Sequence, residues 1–383
     1  MKPLLTLSLF RFLGGKSQRK PVRPTFRPLL NTLEDRLTPA GGLVDPPPAD
    51  GIGGDDVITP GINPQAVANR HLLMSLSAYS ENTGGAPVVH VIDNSTGQER
   101  FALQAFDPSF QGGVRIAIAD MDEDRIPDII VGAGPGGGPH VRIFSGSTGQ
   151  LIDSPIANMM AFDTAFTGGV YVAGGDVNGD GRGDLIVGAG EGGGPHVRVF
   201  NGQDGSLLFN DFVYESSFRG GVRVAAGDVN ADGFADIITG PGVGGGPFVK
   251  VFSGADNSLF RSFLAFKQDF RGGIYVASGD VDGDSFTDIV VSQGAGDVPW
   301  VKTFHGPNLM IVNSFHAYAT SFTGGSTVAV NDLDQDGMAE IITGAGPGGG
   351  PNLRVYRGTE TEPTLLADTM PLDPAFTGGI FVA

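Results

Sequence analysis

The sequence predicts an all-β fold: a β-propeller of four-stranded blades, six in number, with one blade shared between the two ends of the chain. Three observations predict it. First, Phe-x-Gly-Gly recurs at Phe110, Phe166, Phe218, Phe270, Phe322 and Phe376, at spacings of 52 to 56 residues. Second, each interval holds runs of 4–8 apolar, largely β-branched residues bounded by Gly, Pro, Asn and Asp, the punctuation of strands rather than helices. Third, four strands in roughly fifty residues is the size of one propeller blade.

The elements of a unit follow in fixed order. After Phe-x-Gly-Gly comes a short apolar strand with an alanine at a constant place: Ala117, Ala173, Ala225, Ala277, Ala329 and Ala383. A small residue is expected there because first strands converge on the central channel. Next come an aspartate-rich loop, a second strand such as DIIVGAG, a glycine-rich turn ending in Pro, a third strand such as HVRIF, and a variable fourth strand. The ends complement each other. LLMSLSAY at 72–79, GGAPVVHVI at 84–92 and FALQAF at 101–106 align with second, third and fourth strands, and GGIFVA at 378–383 with a first. Pairing 378–383 with 72–79 would complete a sixth blade lacking an aspartate loop and would cover two open sheet edges. A solenoid and a piece of a larger ring are the alternatives.

Composition fits this reading. Gly (62) and Pro (26) are abundant, but they are periodic, which separates a turn-rich repeat from a disordered chain. There is no cysteine, so disulfides and thiolate metal sites are excluded. The net charge is −18, and it is uneven. Residues 1–40 hold eight Lys or Arg against Glu34 and Asp35, leaving −24 on the rest. So acidic a body is a poor partner for nucleic acid or an anionic membrane and a good one for hard cations. PLLTLSLF at 3–10 is far too short to span a bilayer and is about the minimum for a signal h-region. LEDRLTPA at 33–40 resembles a sorting segment of some bacterial exported proteins, with cleavage expected after Ala40. Residues 1–40 are therefore expected to be an export leader, 41–66 a flexible linker rich in Gly, Pro and Asp, and 67–383 the propeller. A disordered basic tail is the alternative for the leader.

Five loops share the frame D-x-[DN]-x-D-x-x-x-[DE]. They are Asp120, Asp122, Asp124, Asp128; Asp176, Asn178, Asp180, Asp184; Asp228, Asn230, Asp232, Asp236; Asp280, Asp282, Asp284, Asp288; and Asp332, Asp334, Asp336, Glu340. A tight turn points positions 1, 3 and 5 into one cavity. Position 7 adds a backbone carbonyl, from Ile126, Arg182, Phe234, Phe286 or Met338, and position 9 closes the shell from the next strand. An all-oxygen shell of that size suits Ca²⁺, whereas Mg²⁺ prefers a tighter octahedron with retained water. About five calcium ions are expected, one per loop. Two unit charges ~4 Å apart repel by roughly 4 kcal/mol at an effective dielectric of about 20, so such loops are poor choices for staying empty. Position 6 is Gly181, Gly233 and Gly337 in three loops but Arg125 and Ser285 in the first and fourth, which are expected to be weaker or more distorted.

These units resemble the FG-GAP or VCBS repeats of the integrin α-chain N-terminal propeller and of many bacterial surface proteins. The resemblance rests on Phe-x-Gly-Gly, the aspartate loop and the Gly-rich Pro turn, recurring in order from about residue 70 to 383. It implies calcium held in the loops and a role in adhesion or in carbohydrate or protein binding.

Other motifs carry less. PGGGPH at 135–140 and its relatives lack the Lys-Ser/Thr and the helix of a phosphate loop. Arg182-Gly183-Asp184 spells an integrin ligand motif, but Asp184 already serves the second loop. Position-equivalent residues His140, His196, Phe248, Trp300 and Asn352, with Arg142, Arg198, Lys250, Lys302 and Arg354 two places on, either form a ligand face or pack between blades; packing is favoured. The six histidines form no HExxH, and there is no G-x-S-x-G. The expectation is a non-enzymatic, secreted or cell-surface recognition or scaffold module, monomeric, with a protein or glycan ligand. A calcium-dependent lectin is the alternative, and a polysaccharide-active enzyme is disfavoured by short, regular loops.

Overall fold

The computed structural model describes residues 76–81, 86–359 and 361–383. The expected leader and linker lie outside the described residues, as does part of the strand expected at 72–79. Among the described residues every regular element is a strand.

The strands form six four-stranded antiparallel sheets. Blade 1 is Val114–Ala119, Asp128–Ala133, His140–Phe144 and Asn158–Met160. Blade 2 is Val170–Gly175, Asp184–Ala189, His196–Phe200 and Leu207–Phe212. Blade 3 is Val222–Gly227, Asp236–Pro241, Phe248–Phe252 and Leu259–Leu264. Blade 4 is Ile274–Gly279, Asp288–Gln293, Trp300–Phe304 and Ile311–His316. Blade 5 is Ser326–Asn331, Glu340–Ala345, Leu353–Arg357 and Thr364–Thr369. Blade 6 draws on both ends: Ile380–Val382, Leu76–Glu81, Val88–Asp93 and Gln98–Gln104. The seam is antiparallel, with Tyr79 opposite Val382, Ser80 opposite Phe381 and Glu81 opposite Ile380. The pairing agrees with the expected one, two residues further along the first of its strands. First strands of successive blades contact one another all the way round, including blade 6 on blade 1, so the ring closes.

In blades 1 to 5 the second strand is covered on both faces by its neighbours. All six residues of Asp128–Ala133 are buried, as are those of its four counterparts, which explains continuous apolar runs rather than alternation. Burying one such Val, Ile or Leu side chain stabilises by roughly 1.5–3 kcal/mol.

The alanines of the first strands are buried in blades 2 to 5, as their size suggests. The axis itself, however, is filled by large side chains two residues earlier. Tyr171 and Tyr275 each meet Phe381 edge-on, with centroids 6.5 and 6.1 Å apart. These residues come from blades 2, 4 and 6, and side chains from alternate blades touch only by crossing the centre. The Arg115 guanidinium lies 3.9 Å from the Tyr171 centroid, and Arg223 lies 5.2 and 4.8 Å from Tyr171 and Tyr275. The charge of both buried arginines is met by aromatic faces.

The opening motif has a steric cause. A Cβ on Gly168 would stand 2.0 Å from the Glu191 carbonyl oxygen of the glycine-rich turn. Gly169 takes φ +71°, the left-handed region that L-residues rarely adopt. The same pair of constraints recurs in the other complete units, so Phe-x-Gly-Gly records close approach of two turns.

The third-strand cations tie consecutive blades together. Arg142, Arg198, Lys250, Lys302 and Arg354 donate to the carbonyls of Ala105, Ala161, Val213, Ala265 and Ala317, at 2.7 to 3.1 Å. In every case the acceptor lies 37 residues earlier, at the end of the preceding blade. Four of them also sit over the ring that follows that carbonyl: Phe162, Tyr214, Phe266 and Tyr318. The packing role of these positions is thus the one observed.

Candidate metal centre

Each aspartate loop joins the first and second strands of a blade, and its backbone is shaped by its own carboxylates. In the second loop Asp176 Oδ1 accepts from Gly179 N (2.7 Å) and Oδ2 from Gly181 N (2.8 Å). Asn178 Oδ1 accepts from Asp180 N, and Asp180 Oδ1 from Arg182 N, both at 2.9 Å. The bond from the position 6 N–H to the position 1 carboxylate recurs in all five loops, at 2.8 to 3.0 Å. One oxygen of each position 5 carboxylate is spent on the position 7 N–H. What can face a cation is the second oxygen of position 5, the second oxygen of position 3 where it is aspartate (Asp122, Asp282 and Asp334), and the carboxylates of positions 1 and 9.

Position 6 adopts positive φ in every loop: 91°, 90° and 92° at Gly181, Gly233 and Gly337, but also 67° at Arg125 and 73° at Ser285. The expected distinction between the loops is therefore one of strain at equal geometry. Position 4 is left-handed too, at Glu123, Gly179, Ala231, Gly283 and Gln335, a requirement hidden by the varied residues there.

Position 9 is the buried anchor. Asp128, Asp184, Asp236 and Asp288 have no exposed surface, and Glu340 almost none. Each accepts the position 2 N–H at 2.9 to 3.1 Å. In the first three loops the other oxygen accepts from Gly146, Gly202 or Gly254, just after the adjacent third strand. In the fourth, Asp288 Oδ1 is buried without a partner, an orphaned oxygen that suits a cation. Burial pushes these carboxyls up, to about 7 for Asp128, Asp288 and Glu340 and about 6 for Asp184 and Asp236; neighbouring loop carboxylates add to the effect. Burial also raises Asp122, Asp282 and Asp332. Clustered carboxylates held in this way are stabilised as anions by a divalent cation.

Three of the loops gather carboxylates closely. Asp120, Asp122 and Asp128 bring one oxygen each within 4.8 Å of one another, as do Asp280, Asp282 and Asp288, and Asp332, Asp334 and Asp336. Among the described residues of the second and third loops no three carboxylates meet so closely. There the amides of Asn178 and Asn230 donate to Asp180 and Asp232 at 2.9 and 3.0 Å. The position 7 residues sit at the strand end of each turn, and some lean on the preceding loop. Arg182 Nε donates to Met121 O, Phe234 packs over Gly179, and Met338 over Gly283. Ala235 N and Ala339 N donate to the position 1 carbonyls of Asp176 and Asp280, one blade back. Neighbouring loops are thus physically linked. Asp184 of the Arg-Gly-Asp segment is fully buried and bound to Val177 N and Gly202 N, so it faces no partner.

The position 17 residues after the ninth also belongs to the site, and the motif does not contain it. It is Ser145, Asn201, Ser253, His305 and Arg357 in the five blades. Asn201 reaches Asp180 at 3.4 Å and His305 Nε2 reaches Asp284 Oδ2 at 2.7 Å. Arg357 Nη2 lies 2.5 Å from Asp334, 3.3 Å from Asp336 and 3.3 Å from Glu340. The constant spacing is the signal in the sequence that reveals it.

A ring of four-stranded blades with a carboxylate loop between first and second strands defines the class. Residues 176–239, from the second loop through the third, match the FG-GAP-like repeat family. Over 95 residues the chain is 36% identical to phosphatidylinositol-glycan-specific phospholipase D of Bos taurus, covering 23% of this chain and 11% of that protein. Over 170 residues it is 27% identical to integrin alpha-V of Gallus gallus, covering 39% of this chain and 16% of that protein. The matched segments are thus a small part of either relative's length. The crystal structure of a Bacteroides caccae protein of unknown function covers 80% of this chain and 99% of its own, at 12% identity and a TM-score of 0.47. The chain is a β-propeller whose residues 176–239 match an FG-GAP-like repeat, and over the matched segments it is distantly similar to integrin α and to the phospholipase.

Proposed function

We propose that this propeller binds calcium in its aspartate loops and serves as a non-enzymatic recognition or scaffold module of an exported, bacterial cell-surface or secreted protein. The observation that carries the calcium reading is the repeated oxygen frame: a position 1 carboxylate pinned by the position 6 N–H, a second oxygen left over at position 5, and a buried position 9 carboxyl, in register in successive blades. Donors of oxygen alone, at that number and flexibility, suit Ca²⁺. Export is supported by the short apolar run and LEDRLTPA segment of the N-terminal region. A protein or glycan partner is supported by the similarity to integrin alpha-V over part of its length. Native mass spectrometry of the full chain titrated with Ca²⁺ tests the metal reading. Stepwise uptake of several ions is expected, and uptake of fewer than three overturns it. Fractionation of producing cells, with N-terminal sequencing of the mature chain, tests export; an uncleaved cytoplasmic product refutes it.

A further inference from the structure

We propose that the fifth loop carries its own cation, and that Arg357 stands where calcium stands in the other four. This inference rests on the calcium reading of the loops and refines it for one of them.

The geometry is specific. Backbone N–H groups occupy one oxygen of Asp334, of Asp336 and of Glu340, from Asp336, Met338 and Leu333 respectively. The remaining oxygen of each faces one nitrogen, Arg357 Nη2, at 2.5, 3.3 and 3.3 Å. Those three oxygens belong to positions 3, 5 and 9, three of the five positions expected to close around an ion, and Asp332 at position 1 clusters with Asp334 and Asp336 beside them. A guanidinium nitrogen at their centre and a divalent cation there are mutually exclusive, both in space and in charge.

The sequence changes in concert with the geometry. Glu340 is the one glutamate at position 9, and Arg357 is the one arginine at the facing position, where the other blades have Ser145, Asn201, Ser253 and His305. The longer acid and the longer base occur together. Serine at that place leaves the cage open, and asparagine reaches only Asp180, at 3.4 Å. Histidine holds one oxygen of Asp284. Arginine alone engages three ligands together. A planar, permanently charged group with several donors is suited to gathering carboxylates, here in a site of which only Glu340 is buried.

The consequence is a loop whose shape does not depend on calcium, in the blade next to the seam between the chain ends. Four ions rather than five are expected. Native mass spectrometry of the full chain at saturating Ca²⁺ should show four bound, and Arg357→Ser should show five. Hydrogen exchange read by peptide gives a second measure. On adding EDTA, segments 120–128, 176–184, 228–236 and 280–288 should lose protection, while 332–340 keeps it. In Arg357→Ser, 332–340 should exchange faster in EDTA than in the wild type and recover with calcium. Five ions on the wild type, or loss of protection at 332–340 on chelation like its counterparts, overturns the proposal. If the wild type takes up no calcium, the metal reading itself fails. Arg357→Ser should then still deprotect 332–340, and unchanged exchange there would overturn the role of Arg357 as well.

Discussion

Calcium binding should release protons, in an amount set by the buried position 9 carboxyls. Asp128 and Asp288 are pushed up to about 7 and Asp184 and Asp236 to about 6, chiefly by burial. At pH 6 the first pair is mostly protonated and the second half protonated. An entering Ca²⁺ requires all four ionised, so filling these loops should release about three protons at pH 6 and well under one at pH 8. The sign for the calcium-free protein follows from the same carboxyls. Folded pKa values above the unfolded one mean that the native state holds more protons between about pH 4 and 7. Apo stability therefore falls as pH rises through that window, by up to about 1.4 kcal/mol for every tenfold gain in proton affinity that a carboxyl makes on folding. Calcium offsets that loss at high pH and competes with protons at low pH. Isothermal titration calorimetry at pH 6 in cacodylate and in bis-Tris, whose ionisation enthalpies differ, reads the proton count from the difference in observed heat. Equal heats in the two buffers would refute the assignment of buried, protonated carboxyls to the metal loops.

Three further outcomes are expected. Asp232→Ala should remove one ion and lower the melting temperature in calcium but hardly in EDTA, with a loss of about 2.7 kcal/mol when calcium is at 100 times Kd; equal losses in both conditions count against a metal role. Ser285→Gly should relieve the left-handed strain at φ 73° and raise apo stability by roughly 1 kcal/mol, read by thermal melting. Arg198→Met should cost about 1–3 kcal/mol, because the Ala161 carbonyl loses a charged donor and Phe162 its cation; a change within the error of denaturant melts would show that the blade clamp is passive.

The sequence made the ring and its loops legible because both are written in backbone constraints. Only glycine fits a turn that meets another backbone at Gly168 and turns left-handed at Gly169, and acid spacing follows the alternation of a tight turn. The axial filling was not legible. Arg115, Tyr171, Arg223, Tyr275 and Phe381 share a place in the repeat but not one residue type throughout, and their complementarity exists only across the ring. Position 4 was hidden in the same way, since Glu123, Ala231 and Gln335 tolerate φ values of 58° to 68° that the motif does not announce. Arg357 was overlooked because it lies outside the loop, on a strand that returns beside position 9, with Glu340 opposite it in register.

The two ends of the ring are held by different physics, and this bears on where a partner can act. Antiparallel order places the aspartate loops at one end of blades 1 to 5 and the glycine-rich turns at the other. At the glycine end, cations bound to backbone carbonyls and aromatic rings of the preceding blade hold neighbours together, with no dependence on a dissolved ion. At the aspartate end, neighbours meet through the loops themselves, as in Ala235 N to Asp176 O and Ala339 N to Asp280 O. The position 1 residue whose carboxylate organises one loop thus lends its carbonyl to the next. Deleting 376–383 separates the two kinds of support. It removes the Ile380–Val382 strand and the Phe381 ring from the axis, opens the sheet edge at Leu76–Glu81, and leaves all five aspartate loops in the chain. The truncated protein should lose stability in calcium and EDTA alike and should self-associate. Analytical ultracentrifugation and melting in both conditions check this. A truncated chain that stays monomeric and melts like the full one would show that the loops and clamps hold the blades together without closure of the ring.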